Sequence, residues 1–327
     1  MSGNLPLGPP AQPLEYWSTE PTTPTPAPIP PSPSAREWTL SVLLFLATLL
    51  SVTFAGLFYV GADGSFTTTT RFAASHPSIL LYGLPFSVTF LTILLAHELG
   101  HFFACRYYGI RCTPPYFIPV PITIAGTLGA FIRIKSHFQH KRALFDVGVA
   151  GPLAGFCFVI PALFIGIAHS RLIPKGAVQG GINFGEPLLF RWVGRFVLGY
   201  SPANQDMLAH PIAMAAWFGL LVTCLNLIPI WQLDGGHIAY AILGKNAQRK
   251  LSIFAVAGLI LVSFVGWPIP SYLLFGLLLL GFGVRFRFYH PPTLAEEESV
   301  GPGRVLIGIL AMIILIVSFT PVPIALT

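Results

Sequence analysis

Two histidines four residues apart, with a glutamate beside the first, stand at the end of a long apolar run: His97-Glu98-Leu99-Gly100-His101. On an α-helix residues four apart share a face, so His97 and His101 can hold one metal ion between them. Glu98 lies three before His101, near enough to the same face to touch a water held by that metal. Two imidazoles with a carboxylate beside them are the groups of zinc-dependent peptide hydrolysis. The setting is apolar, where an ionisable residue is costly and points to function by default.

Catalytic zinc usually has three protein ligands and one open position. The chain offers only 12 acidic residues. Glu15, Glu20 and Glu37 belong to an N-terminal tail or its junction. Asp63, Glu186 and Asp206 fall on the outer side, and Glu296, Glu297 and Glu298 form an exposed run. With Glu98 as base, Asp146 and Asp234 remain. Asp234 is favoured, because Gly235-Gly236 follows it in a bend where the side chain can turn back towards the core. Asp146 also reads as a helix-start residue favoured by the helix dipole. His237 stays open as an alternative ligand, though a structural role suits it better.

The elements that must position these groups are apolar. Of 327 residues 54% are apolar and 9% charged, with a mean hydropathy of +0.73. Soluble domains carry about 25% charged residues. The composition therefore predicts an all-α polytopic membrane protein with the lipid bilayer as its partner. The net charge of +6 does not point to nucleic acid, because the basic residues fall in short loops where they act as topology signals. Cys105, Cys112, Cys157 and Cys224 show no paired ligand spacing and read as reduced, small apolar residues. A Cys105/Cys112 metal pair is the weaker alternative.

Residues 1–36 are rich in Pro, Thr and Ser, cannot bury a core, and read as a disordered or polyproline tail on the cytoplasmic side. No basic residue occurs before Arg36, which argues against a secretory signal peptide. Residues 37–77 hold the first span and a short polar outer loop. Residues 78–243 hold the core, and 244–327 the C-terminal spans. Apolar runs at 38–60, from 78 through the histidine motif, 144–168, 208–228, 251–267, 271–284 and 305–319 predict about seven transmembrane helices.

Residues 113–136 are apolar but broken by Pro114, Pro115, Pro119 and Pro121, then by Gly126-Thr127-Leu128-Gly129. A spanning helix does not tolerate that proline density. Two β-like runs, 116–124 and 128–134, around a glycine-containing turn predict a hairpin. Such backbone survives at membrane depth only where protein or a wet cavity covers it, so it reads as re-entrant, with a loop on the membrane surface as the alternative. Gly151 and Gly155 form a small-xxx-small face that lets the metal helix approach. Residues 170–207 read as a mixed loop, amphipathic around 188–198 and too irregular for a folded accessory domain. Pro229 ends or kinks the fourth span, and the bend 234–237 is the expected water path. Putting the carboxyl end of the metal helix in the cytoplasm places 13 of the 18 basic residues inside, as the positive-inside rule favours.

Two separated signatures stand together: His97-Glu98-Leu-Gly-His101, and Asn226-x-x-Pro229-x-x-x-Leu-Asp234-Gly235. In both the chain resembles the site-2 protease family of intramembrane zinc metalloproteases, over roughly residues 79–241. Gly126-Thr-Leu-Gly129 is similar to the family's membrane hairpin, and Gly151-Pro152-Leu-Ala-Gly155 to the small-residue motif of its middle core helix. The resemblance implies a three-helix catalytic core made of the second, third and fourth spans. It implies one zinc per chain on His97, His101 and Asp234, and Glu98 as catalytic base. It implies Asn226 near the substrate backbone, with Gly126, Thr127 and Gly129 in the hairpin that binds substrate. The implied substrate is a membrane-anchored protein, and the implied site is a bacterial inner membrane with the metal towards the cytoplasm. Trp231 departs from the pattern, since many members carry a second proline there; this affects the path of the bend more than the ligand. Intramembrane His and Asp also mark ion pathways, so a metal carrier is the rival class; a carrier has no need of Glu98.

Overall fold

The structure is a computed structural model that describes residues 32–60, 66–177, 182–296 and 299–326. Most of the proline-rich tail therefore lies outside the described residues. The helices are α1 (Ala35–Gly56), α2 (Phe66–Ser75), α3 (Leu84–Tyr107), α4 (Lys141–Ala168), α5 (Leu188–Leu198), α6 (Pro211–Leu227), α7 (Asp234–Ser263), α8 (Leu273–Arg285) and α9 (Pro302–Ser318). Short strands lie at β1 (Tyr116–Pro119), β2 (Thr127–Phe131), β3 (Arg171–Pro174), β4 (Ile182–Phe184), β5 (Gln205–Leu208) and β6 (Ile324–Leu326). Helix makes up 65% of the described residues. Four helical segments, 35–59, 77–107, 141–168 and 234–266, are long and apolar enough to cross a membrane, and three shorter ones, 211–227, 273–285 and 302–318, are apolar too. Each of the seven expected spans coincides with one of these segments.

The first helix starts where the sequence provides a capping box. Ser34 Oγ accepts from the Glu37 amide at 3.3 Å, and the Glu37 carboxylate accepts from the Ser34 amide at 2.8 Å. Helices α3, α4 and α6 pack against one another. Their shared core holds Phe86, Phe90, Ile93, Val159, Leu163, Trp217 and Leu220. Glycine lets the backbones come this close. A Cβ on Gly100 would meet the Ala150 carbonyl and stand 3.0 Å from the Ala154 Cβ. The outward faces stay apolar, with Phe103 63% and Phe254 73% exposed, as side chains bordering lipid require.

Strands β1 and β2 form the expected antiparallel hairpin, Tyr116 opposite Phe131 and Pro119 opposite Thr127. Its strands are shorter than expected, since Pro119 and Pro121 take donors out of the ladder. The hairpin is fastened to the first helical segment: Ser41 Oγ donates to the Pro115 carbonyl at 2.6 Å, Ser51 Oγ to Gly126 at 2.5 Å and Tyr59 OH to Ile124 at 2.8 Å.

Three parts differ from expectation. Residues 66–75 are helical rather than a polar loop. The described parts of 170–207 are folded: β3 pairs with β5, and β4 pairs with β6 from the far end of the chain. Strands of three or four residues paired over such distance leave no periodicity to read. Helix α7 begins at Asp234, well before the apolar run at 251, and passes a kink at Gly244, φ 77°. The basic residues expected in a loop ride on it, Lys245 and Arg249 standing 4.6 and 4.9 Å from the Tyr289 ring.

Candidate metal centre

His97 and His101 project from α3 towards the first turn of α7, where Asp234 stands. The His97 and His101 Nε2 atoms are 3.1 Å apart. Asp234 Oδ2 is 3.2 Å from His97 Nε2, and Oδ1 is 3.3 Å from His101 Nε2. The three residues are the group among the described residues whose donor atoms, within 4.8 Å of one another, could hold a metal. The spacing of the two imidazole nitrogens suits zinc, whose tetrahedron with arms of about 2.0 Å has edges of about 3.3 Å, and the Asp234 carboxylate turns one oxygen towards each ring. Asp234 Oδ2 is buried without a hydrogen-bond donor, as a metal-binding oxygen would be. His97 and His101 are 3% and 7% exposed, so no water shell competes.

The second nitrogen of His101 is also accounted for. His101 Nδ1–H donates to the Val147 carbonyl of α4 at 2.7 Å, which leaves the Nε2 lone pair facing the other two donors. Nothing in the sequence marks a backbone carbonyl, so this partner emerges only with the fold. Helix α4 gives the ring its room. A Cβ on Gly151 would fall on the His101 imidazole, and one on Gly155 would stand 3.2 Å from the His97 Cβ. The small-residue face therefore serves the metal helix, as expected, and also clears space for its ligands.

Glu98 is 6% exposed and lies beside the same cluster, with the Ile132 backbone near its carboxylate. Ile132 follows β2 directly, so this end of the hairpin reaches the site. The Gly126 end is tied to α1 instead. Gly126 has φ 74°, and a Cβ there would stand 2.6 Å from the Val52 Cα. The Thr127 hydroxyl bonds Ile118 and Gly129 within the hairpin. Gly129 has open space over its Cα. Asn226, at the end of α6, holds its amide nitrogen 3.3 Å from His97 Nε2.

The alternatives for the third ligand are engaged elsewhere. Asp146 receives Arg304 of α9 through two hydrogen bonds, at 2.8 and 2.7 Å, and a third from the Tyr108 hydroxyl. Asp146→Ala is expected to keep full zinc content and to lower stability by about 1 kcal/mol, because the pair is part exposed; zinc analysis with thermal unfolding checks both. His237 Nδ1 lies 2.6 Å from His290 Nε2, and the His290 Nδ1–H donates to the Pro291 carbonyl at 2.7 Å. Burial pushes the His290 imidazole down to about 4, so it is neutral and accepts the His237 N–H.

The segment 234–237 is a helical turn and not the open water path expected there. Gly235 and Gly236 are buried in the first turn of α7, and their Cβ positions would collide with the Leu227 and Trp231 carbonyls. They serve close approach rather than a left-handed turn. Trp231 takes the positive φ instead, 43°. Its amide donates to Ser252 Oγ at 3.0 Å and its indole N–H to Tyr289 at 2.8 Å, with the ring stacked 5.0 Å from Phe286. A proline could neither adopt that φ nor donate that bond, which explains the departure at this position.

Comparison with known proteins identifies the family. The model of Peptidase family M50 matches residues 85–266, from the metal helix to α7. The chain is 32% identical over 251 residues to a probable chloroplastic zinc metalloprotease, EGY1, of Arabidopsis thaliana, covering 73% of this chain and 43% of that protein. It is 28% identical to the EGY1 of Oryza sativa subsp. japonica, covering 87% and 50%, and 32% identical to the EGY2 of Arabidopsis thaliana, covering 78% and 45%. The chain thus spans about half the length of these relatives. Their names place them in chloroplasts, which lends no support to the expected bacterial inner membrane. No solved structure matches the chain. Its apolar helices and its relatives make it an integral membrane protein, and the chain belongs to peptidase family M50, the site-2 protease family.

Proposed function

We propose that the protein is an intramembrane zinc endopeptidase that cuts membrane-anchored proteins in or near their transmembrane segments. The observation that carries this is the His97, His101 and Asp234 donor set, gathered within 4.8 Å inside an apolar helix bundle, with Glu98 beside it. Zinc held by His97, His101 and Asp234 would supply a Lewis acid and the means to make water a nucleophile near neutral pH. Glu98 takes the water's proton on its carboxylate and returns it to the leaving amine. The Val147 carbonyl holds the His101 ring in place.

A transmembrane substrate has its amides in helical hydrogen bonds and must unwind before it is cut. The outer edge of β2 pairs with no strand among the described residues. It can take an extended segment by β-addition along 126–131, with Gly126 and Thr127 shaping the turn and Gly129 leaving room for the incoming backbone. The Asn226 amide can bond the substrate backbone. On this reading the seven apolar helical segments all span the bilayer, α3, α4 and α6 form the catalytic core, and the hairpin is re-entrant. The metal lies towards the side that carries most of the basic loops, the cytoplasmic side in the sequence-based orientation.

The test measures zinc content and cleavage of a single-span substrate for the wild type and Glu98→Gln. Both are expected to hold one zinc, with cleavage about 10²–10⁴-fold slower in the variant. Equal zinc without cleavage by either, on a substrate that another family member cuts, would leave a metal carrier or an inactive scaffold.

A further inference from the structure

Where α7 and α9 end beside α5, a cleft of about 660 Å³ remains. Ala255, Gly258 and Val262 of α7 form one wall, three and four residues apart and so on one helix face. Leu315 of α9 and Phe319 just beyond it form the other. Ile228, two residues after Asn226, closes the deep end. The cleft opens sideways, since Leu188 and Ile316 on its border are 37% and 60% exposed. Glu186 and Arg191 stand at the rim, and no other residue lining the cleft is polar. Inside a helix glycine is unfavourable, and at Gly100 and Gly151 a neighbouring helix explains it. A Cβ on Gly258 would meet no atom within 4 Å, so the chain itself leaves that room empty.

The rim carries charge. Helix α5 presents Leu188, Trp192 and Phe196 to the outside on one face with Arg191 and Arg195, all of them exposed. Aromatic rings beside arginines suit the headgroup level of a bilayer. Arg191 Nε donates to Glu186 Oε2 at 3.4 Å, and the Tyr200 hydroxyl donates to the same carboxylate. Glu186 is thus answered. Arg195, one turn along, leaves this face of α5 with a net positive charge among the described residues.

We propose that the cleft binds one acidic phospholipid of the surrounding bilayer, with an acyl chain between α7 and α9 and the phosphate at Arg191 and Arg195. Apolar walls under a cationic rim match an anionic head on a hydrocarbon chain. Size decides against the transmembrane helix of a substrate. Residues 255 to 262 span about 10 Å of α7, and a helix 10–12 Å across needs on the order of 10³ Å³ over that length. Water finds no polar partners below the rim. The chain reaches Ile228, which shares a core cluster with Ile230, Val256 and Leu259. It braces the segment between Asn226 and Asp234 from the lipid side. The site stands whether or not the protein cuts peptides.

The experiment places the purified protein in nanodiscs of equal parts phosphatidylglycerol and phosphatidylcholine. Native mass spectrometry then counts the lipids that stay on the chain. Wild type is expected to keep one phosphatidylglycerol, favoured about fivefold over phosphatidylcholine, the factor that one uncancelled arginine supplies near a bilayer surface. Gly258→Leu fills the cleft and loses that lipid. Arg191→Gln combined with Arg195→Gln changes only exposed side chains; it keeps a lipid and loses the preference. Added phosphatidylglycerol raises the thermal midpoint of stripped wild type and leaves that of Gly258→Leu unchanged. Equal retention by wild type and Gly258→Leu overturns the site. Equal retention of both lipids by wild type overturns the headgroup assignment. A wild-type dimer that keeps no lipid overturns both, since a second copy then fills the cleft. If Gly258→Leu does not fold, the paired arginine variant and the lipid preference of wild type still decide.

Discussion

Asp234→Ala is expected to remove both stoichiometric zinc and cleavage above background. The carboxylate supplies the third donor of the frame, with Oδ2 3.2 Å from His97 Nε2 and Oδ1 3.3 Å from His101 Nε2. It is also the negative charge that faces a dication in a site where His97, Glu98 and His101 are all buried. Two neutral imidazoles alone leave half the coordination shell to water, which the apolar surroundings do not supply. The loss exceeds that of Glu98→Gln, because the glutamate variant keeps its metal. Metal analysis after exhaustive dialysis, alongside cleavage, is the measurement. The alanine variant should keep its helical circular dichroism, since α7 is helical well beyond Asp234. A variant that still retains one tightly held zinc would move the third ligand elsewhere.

Gly151→Val is expected to be as damaging, though Gly151 is neither ligand nor base. The backbone of α4 passes so close to α3 that a Cβ at 151 would occupy the position of the His101 ring. The ring must move or the helices must part. Either breaks the Nδ1–H bond to the Val147 carbonyl and turns Nε2 away from the other donors. Zinc content and cleavage should both collapse. Gly155→Ala is the graded control. Its Cβ would stand 3.2 Å from the His97 Cβ, a contact that a shift of a few tenths of an ångström relieves. It should therefore keep zinc and lose far less activity. Equal behaviour of the two variants, measured by zinc content and rate, would mean that helix packing in general, and not the seat of His101, explains the glycine at 151.

What the sequence determined by itself is what local pattern encodes. Hydropathy gives the apolar helices because burial in lipid needs long runs with few charges. The spacing of His97 and His101 puts them on one face because the helix repeats every 3.6 residues. Pro119, Pro121 and Gly126 rule out a helix over 113–136 because proline lacks the donor and fixes φ. Elimination among few acids reached Asp234, since so apolar a chain has little carboxylate to spare. The charges at 245–250 and the kink at Gly244 hid the first half of α7, because a helix that leaves the apolar stratum no longer shows the hydropathy signal.

Only the tertiary structure decided the rest. That Asp146 is bound to Arg304, 158 residues away, and so is not available to a metal, depends on where α9 packs. That Trp231 can stand at φ 43° depends on Ser252, Phe286 and Tyr289 from two other parts of the chain. The pairing beside α5 depends on β6 returning to β4. The orientation of His101 depends on a carbonyl, which every residue has and no sequence can single out. Each of these is a contact between groups remote in the chain. Its strength comes from the removal of water around both partners at once, and that happens only when the helices close.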